Sequence, residues 1–316
     1  GDRRFGYCLR KLPPGTGARY PVAYTIMAYF PCFPLYSKIL EAMAFHYENS
    51  SMSHLTEFVD TMLTQPFPKP KDTVEVRTQT QVNSKEGKVM QEKIYRFTRP
   101  DDSDSLLLHF DLTTILTCLS ENTILIVFAA LLVERRIIFC SEHLSKLSSC
   151  IQTAVASVYP FMWQHIYIPV LPRSLLSFVC APMPFVVGVL RADLDEVLRN
   201  PMDEVLLVDI DNDSFILSPT ENPNEDVDII PPCYIDPLRK LIKKSAKLVK
   251  RTQKRRKENK LEEEELRQFK YEMSLLAAGF VDFFVATVGA YGDFINNGEF
   301  DREGFLSLKP ELRPFL

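Results

Sequence analysis

A mainly parallel α/β sheet followed by a helical C-terminal segment is the fold class this sequence predicts. Three observations predict it. Between residues 106 and 217, stretches of helical apolar spacing alternate with short β-branched runs, the alternation that builds a parallel sheet from strand–helix–strand units. Beyond residue 237, and again beyond 261, the pattern is helical only. Proline-bearing stretches punctuate the chain at Gln65-Pro66-Phe67-Pro68-Lys69-Pro70 and over the acidic residues 218–228, which read as a boundary and a linker.

In chain order, residues 74–82 and 89–97 flank Asn83-Ser84-Lys85-Glu86-Gly87 and predict a long exposed hairpin. Helical spacing fits 112–119 and 124–132, and Ile137-Ile138-Phe139 then makes a strand. Leu144, Leu147, Ile151, Ala154, Val155 and Val158 trace one face of a helix. Further strands are expected at 166–170, 185–190 and 205–210, with a short helix at 173–180 between proline-bounded turns. Phe269, Met273, Leu276, Phe280, Phe283 and Phe284 continue a helical pattern late in the chain.

Composition bounds the class. The 316 residues are 46% apolar and 25% charged, average for globular chains and unlike disordered or fibrous ones. The longest strongly apolar run, 124–133, is ten residues, half of what a bilayer crossing takes, so no transmembrane helix is expected. The opening Gly1-Asp2-Arg3-Arg4 has neither an initiator Met nor an apolar leader and reads as a fragment of something longer. Seven cysteines, none within four residues of another, disfavour a disulfide scaffold and a zinc module, and suggest a reducing, cytosolic compartment.

The net charge of −4 hides an asymmetry, because residues 239–260 hold twelve Lys/Arg against the single acid Glu258. Leu238, Leu241, Ile242, Leu248 and Val249 recur there at helical spacing, which predicts an amphipathic helix. Lys243, Lys244, Lys247 and Lys250 are either a solvated face or a surface for anionic membranes. Nucleic acid is disfavoured, since no aromatic side chain interleaves the charges.

Nucleotide and catalytic motifs are missing. Gly15-Thr16-Gly17 is followed by Ala18-Arg19-Tyr20, so the dinucleotide fingerprint lacks its third glycine, and there is no Walker or Gly-x-Ser-x-Gly pattern. Asp209, Asp211 and Asp213 take the first, third and fifth places of a calcium loop, but Ser214 and Thr220 stand where glycine and glutamate are required. A turn joining two strands is the plainer reading. The histidines, 46, 54, 109, 143 and 165, lack metal-ligand spacing. Glu134-Arg135-Arg136 reads as exposed turn charges or an internal ion pair.

The ordered motifs Leu131-Leu132-Val133-Glu134-Arg135-Arg136-Ile137-Ile138-Phe139, Leu144-Ser145-Lys146-Leu147, the run from Tyr159-Pro160-Phe161-Met162-Trp163-Gln164-His165 to Leu171-Pro172, and Cys180-Ala181-Pro182-Met183-Pro184-Phe185 resemble the central DENN domain. Arg4-Phe5-Gly6-Tyr7-Cys8 and Tyr29-Phe30-Pro31-Cys32-Phe33 are similar to the second half of the family's upstream, longin-like lobe, and 280–289 to its downstream helical segment. The resemblance implies a partial longin-like lobe over 1–70, a hairpin or linker over 71–105, a central DENN domain over 106–236 and a truncated downstream segment over 237–316. Further strands before Gly1 and a helix after Leu316 would complete the module.

Guanine-nucleotide exchange on a Rab GTPase docked between two lobes is the activity so implied, with no cofactor and peripheral association with trafficking membranes from the cytoplasm. A non-catalytic trafficking scaffold is the alternative, as is a GTPase-activating protein, which would need an arginine such as Arg3, Arg4 or Arg10 to reach the phosphates. Since binding surfaces form where strands end and loops begin, the candidate GTPase contacts are Trp163, Gln164, His165, Met183 and Pro184. Tyr29 and Phe33 join them from the upstream lobe.

Overall fold

The computed structural model describes residues 4–13, 15–49, 52–84, 87–101, 106–296 and 298–313. The chain separates into two units, Gly1–Asp104 and Ser105–Leu316.

In the first unit, β1 (Phe5–Lys11) and β2 (Val22–Ala28) form an antiparallel ladder from Phe5 opposite Ala28 to Lys11 opposite Val22. Tyr7 and Tyr24 point inward from it. The Tyr7 ring lies 4.6 Å from that of Tyr36, and its hydroxyl accepts the Cys32 N–H at 2.8 Å. These contacts seat α1 (Phe33–Asn49) on the hairpin, and α2 (Met52–Thr64) adds the buried Phe58. A second antiparallel pair, β3 (Thr73–Ser84) and β4 (Gly87–Thr98), is the expected hairpin, with residues 85 and 86 of its tip outside the described residues. Its base is no linker: Val76 and Phe97 are buried in the same core as Leu35, Leu40 and Phe58. His46 is fully buried there, stacked 5.1 Å from Phe58, with Thr78 Oγ1 3.3 Å from its Nε2. Burial, and then the nearby Lys93 ammonium, push its pKa below the usual histidine value.

The second unit begins with two helices whose starts are capped by side chains. Asp111 accepts the Thr113 N–H at 3.1 Å ahead of α3 (Leu112–Cys118), and Ser120 Oγ accepts that of Thr123 ahead of α4 (Glu121–Leu132). The chain bends by 117° between them. Residues 123–131 of α4 are buried all round, which is why its apolar residues form a run instead of a stripe. Then follow β5 (Arg136–Ser141), α5 (Leu144–Ala156), β6 (Ile166–Ile168), β7 (Phe185–Leu190), α6 (Leu194–Val197), β8 (Val205–Asp209) and β9 (Ser214–Leu217). They build a five-stranded sheet ordered β6-β7-β5-β8-β9, parallel except for the antiparallel β8–β9 pair. The segment Arg173–Cys180 is a 3-10 helix.

Strand alternation sends side chains to two cores. Ile137, Phe139, Val186, Leu206 and Val208 face the helices, while Ile138, Cys140, Val187, Val189 and Leu207 face Leu171, Leu176, Val179 and Val197. Gly188 sits at the tightest crossing, because a Cβ there would lie 2.1 Å from Pro169 O and 2.6 Å from Ile151 Cδ1. We expect Gly188→Ala to destabilise the unit by about 3 kcal/mol, read as a lower urea midpoint; an unshifted midpoint would show that the backbone at Pro169 yields freely.

Residues 218–228, expected as a linker, carry α7 (Glu225–Ile229), and Asp226 within it is buried. The helical tail, expected as a separate segment, shares its core with the sheet: α8 (Pro232–Lys257) and α9 (Glu263–Val288) bring Leu238, Ile242, Leu276, Phe280 and Phe283 into contact with α4 and α5 residues. Two short strands, β10 (Ile295–Asn296) and β11 (Glu299–Phe300), and α10 (Arg302–Leu308) close the unit.

One expectation is corrected by α9. With its continuation to Phe294 it is long and apolar enough to cross a membrane, with a mean hydropathy of 1.8 over its best window. Counting unbroken apolar runs missed it, because single residues such as Ser274 and Asp282 interrupt the pattern. Met273, Leu276, Ala277, Phe280, Phe283 and Phe284 are buried in the unit's core, so packing accounts for the 44% of that window that is buried.

Candidate functional site

The carboxyl edge of the parallel strands is where open α/β sheets usually hold ligands, at the point where strand order reverses. Here that point lies between β5 and β8, and protein side chains fill it. Asp209 takes the backbone N–H groups of Asp211 and Asn212 at 3.0 and 3.2 Å and pairs with Arg191. Asp211 accepts the Glu142 N–H at 2.7 Å and Lys146 Nζ and Ser141 Oγ at 3.1 Å. Hydrogen bonds to the ionised forms hold both carboxyls below their ordinary pKa, against the opposing pull of desolvation. Asp211-Asn212-Asp213 is the turn between β8 and β9. These aspartates are consumed by structure.

The opposite, amino edge is open. The turn from α4 to β5 is set by Glu134, whose φ of +55° reverses the chain. Arg135 then points back to α7 and grips Asp226 through two hydrogen bonds of 2.8 and 3.0 Å, so the internal ion pair is found at Arg135. Arg136 bonds Asp203 O. The register pairs Ile166 with Phe185, and Phe185 with Arg136. His165, Pro184 and Arg135, each one residue earlier, therefore reach the same edge on neighbouring strands.

Beside this edge lies an apolar cavity of about 430 Å³, within the range that holds small ligands or a partner's anchoring side chains. Leu131 and Leu132 of α4, Phe283, Phe284, Thr287 and Val288 of α9, Ile230 and Pro231 before α8, and Leu312 line it together with Val158, Phe161, Met162, Trp163, Gln164 and Glu134. An aromatic cluster stiffens the wall, with Phe161 edge-on to Phe284 at 5.1 Å and Phe128 edge-on to Phe283 at 5.1 Å.

The expected contact residues divide by exposure. Trp163 is 5% exposed and its indole N–H donates to Ile166 O at 3.1 Å, so it forms wall and not outer surface. Gln164 is exposed at the rim and donates to Met162 O at 3.1 Å. His165 lies outside the lining, with its ring 5.2 Å from Trp163 and Nε2 3.1 Å from Glu134 Oε1, close enough for an ion pair though out of line for a hydrogen bond. Met183 is exposed and Pro184 half-buried at the start of β7. Tyr29 and Phe33 are exposed on the first unit, and the Arg4 guanidinium sits 5.0 Å over the Tyr29 ring. Arg10 is exposed on β1, and Arg3 lies outside the described residues.

The two residues that present most apolar surface at the cavity mouth were missed by the sequence reading: Phe161, 52% exposed, and Met162, 71% exposed. Their signal was three large apolar side chains in a row, Phe161-Met162-Trp163, in a loop with no helical or strand period. Only one of them, Trp163, goes inside.

Residues 19–213 match the DENN (AEX-3) domain. The chain is 35% identical over 310 residues to DENN domain-containing protein 2B of Mus musculus, covering 96% of this chain and 25% of that protein. It is 36% identical over 310 residues to DENN domain-containing protein 2D of Homo sapiens, covering 96% of this chain and 59% of that one. To DENN domain-containing protein 2A of Mus musculus the identity is 39% over 216 residues, or 68% and 21% of the two chains. The chain thus spans between about a fifth and three fifths of these relatives.

Proposed function

The chain belongs to the DENN-domain family, and from that premise we propose that it is a guanine-nucleotide exchange factor acting on a Rab GTPase in membrane trafficking. What supports the reading in this molecule is the apolar mouth of the cavity at the amino edge, where Phe161 and Met162 stand exposed. An exchange factor needs no phosphate cradle of its own. It binds the nucleotide-free GTPase more tightly than the GDP-bound one, and that difference is the whole of its catalysis. Accelerating release about ten-thousandfold takes a preference of roughly 5.5 kcal/mol. Three buried apolar anchors of about 2 kcal/mol each are enough.

In this reading Phe161, Met162, Gln164 and Met183 of the second unit contact the GTPase, as do Tyr29 and Phe33 of the first. Trp163 and His165 hold the loop that carries Phe161 and Met162. The protein works in the cytoplasm at the face of trafficking membranes. The test is a panel of GDP-loaded Rab proteins with fluorescent nucleotide, run with this chain and with a version extended at both ends. At least one member is expected to lose GDP orders of magnitude faster. If hydrolysis accelerates instead, the protein is a GTPase-activating protein. Binding without either effect makes it a scaffold, and both outcomes overturn the proposal.

A further inference from the structure

The solvent face of α8 carries charge in a pattern that its packing does not require. Its apolar and small residues Leu238, Ile242, Ser245, Val249 and Thr252 are buried and fix one side of the helix in the core of the second unit. The lysines lie on the opposite side. Lys240, Lys247 and Lys254 repeat at seven residues, and Lys243, Lys250 and Lys257 run beside them at the same interval. Seven residues are two helical turns, about 10 Å of rise, so each row is straight and the pair extends about 25 Å.

Two lysines expected in a membrane-binding set are already engaged. Lys243 Nζ lies 3.5 Å from Glu121, and Lys244 Nζ lies 2.8 Å from Glu272, which is itself buried. The other five, Lys240, Lys247, Lys250, Lys254 and Lys257, are exposed and have no acidic group within ion-pair reach among the described residues. Five unpaired cations on a helix whose register is pinned by a buried face repel one another without an internal remedy.

We propose that this face docks the protein onto an anionic lipid bilayer through Lys240, Lys247, Lys250, Lys254 and Lys257. One phosphate can meet only neighbours three or four residues apart, such as Lys247 and Lys250 or Lys250 and Lys254, whereas a plane of anionic headgroups meets all five lysines along about 25 Å. No aromatic residue occurs in 239–260, so the face cannot stack nucleic-acid bases. Since the apolar side of α8 is committed to the core, the helix does not insert. Binding is therefore purely electrostatic, dependent on lipid charge and screened by salt. The inference refines the membrane setting of the proposed function, but it does not depend on nucleotide exchange, which is measured in solution without lipid.

The experiment is co-sedimentation of the chain with phosphatidylserine–phosphatidylcholine vesicles and with phosphatidylcholine vesicles alone. Wild type is expected to bind only the first, and to be released as salt is raised. Each lysine near such a surface contributes a roughly fivefold factor, so Lys240→Gln, Lys247→Gln and Lys254→Gln together weaken binding about a hundredfold. All three are exposed and unpaired, and their removal relieves mutual repulsion, so the melting temperature does not fall. A control with the same net charge, Lys38→Gln, Lys69→Gln and Lys270→Gln, removes exposed lysines elsewhere and is expected to leave binding within a fewfold of wild type. Three results overturn the proposal: no selective binding to phosphatidylserine vesicles at low salt, equal weakening by both triple variants, or binding of double-stranded RNA in solution that is tighter than vesicle binding at the same charge concentration.

Discussion

Arg135→Ala is expected to cost the second unit about 3 kcal/mol, among the larger losses a single side chain can cause here. Arg135 and Asp226 meet through two hydrogen bonds, and Asp226 is 7% exposed. Removing the guanidinium strands a buried carboxylate that water reaches poorly, and this desolvation, more than the lost attraction, sets the size of the effect. For a unit of this size the loss corresponds to a melting temperature lower by roughly 6–12 °C. Replacing both partners with Leu removes the stranded charge as well, so the double variant is expected to recover most of the loss. Thermal and urea unfolding of wild type, Arg135→Leu, Asp226→Leu and the double variant complete the cycle. If Arg135→Ala stays within about 0.5 kcal/mol of wild type, the turn charges are solvated and the pair is incidental.

The same pair explains what could and could not be read from the chain alone. Strands such as 185–190 were legible because β-branched and apolar residues fill both faces of a buried parallel strand. Helix α5 was legible because Leu147, Ile151 and Ala154 keep a helical period against a polar face. Residues 218–228 looked like a linker because their acids and prolines have no local purpose. Their order comes from Arg135, 91 residues away, and no window of sequence contains both partners. α1 escaped for a related reason: inward-facing His46 and Tyr36 blur its apolar stripe. The cavity was the least legible feature, since its walls come from residue 131 at one extreme and residue 312 at the other. The strand-end rule brought Gln164, His165 and Met183 together, yet at the amino edge. The carboxyl edge, which that rule favours for ligands, is filled by Arg191, Asp209 and Asp211.

Met162→Asp is expected to reduce exchange on the responsive Rab about thirtyfold with almost no change in stability. At 71% exposure Met162 contributes little to the fold, so the folding cost should fall within about 0.5 kcal/mol. An unbranched thioether at an exposed rim fits irregular partner surfaces well, and a carboxylate in its place must be desolvated against them. An anchor of this kind typically carries about 2 kcal/mol. Adding Phe161→Ser should take the loss beyond a hundredfold, less than the product of the single effects because neighbouring residues couple. It should also cost about 1 kcal/mol of stability, because Phe161 packs edge-on against Phe284 at 5.1 Å. The informative measurement is affinity for the GTPase with and without GDP. If Met162 acts on exchange itself, Met162→Asp weakens the nucleotide-free complex far more than the GDP-bound one. Equal weakening of both would mean that the side chain only recruits the GTPase, and unchanged exchange in both variants would move the contact surface away from the cavity mouth.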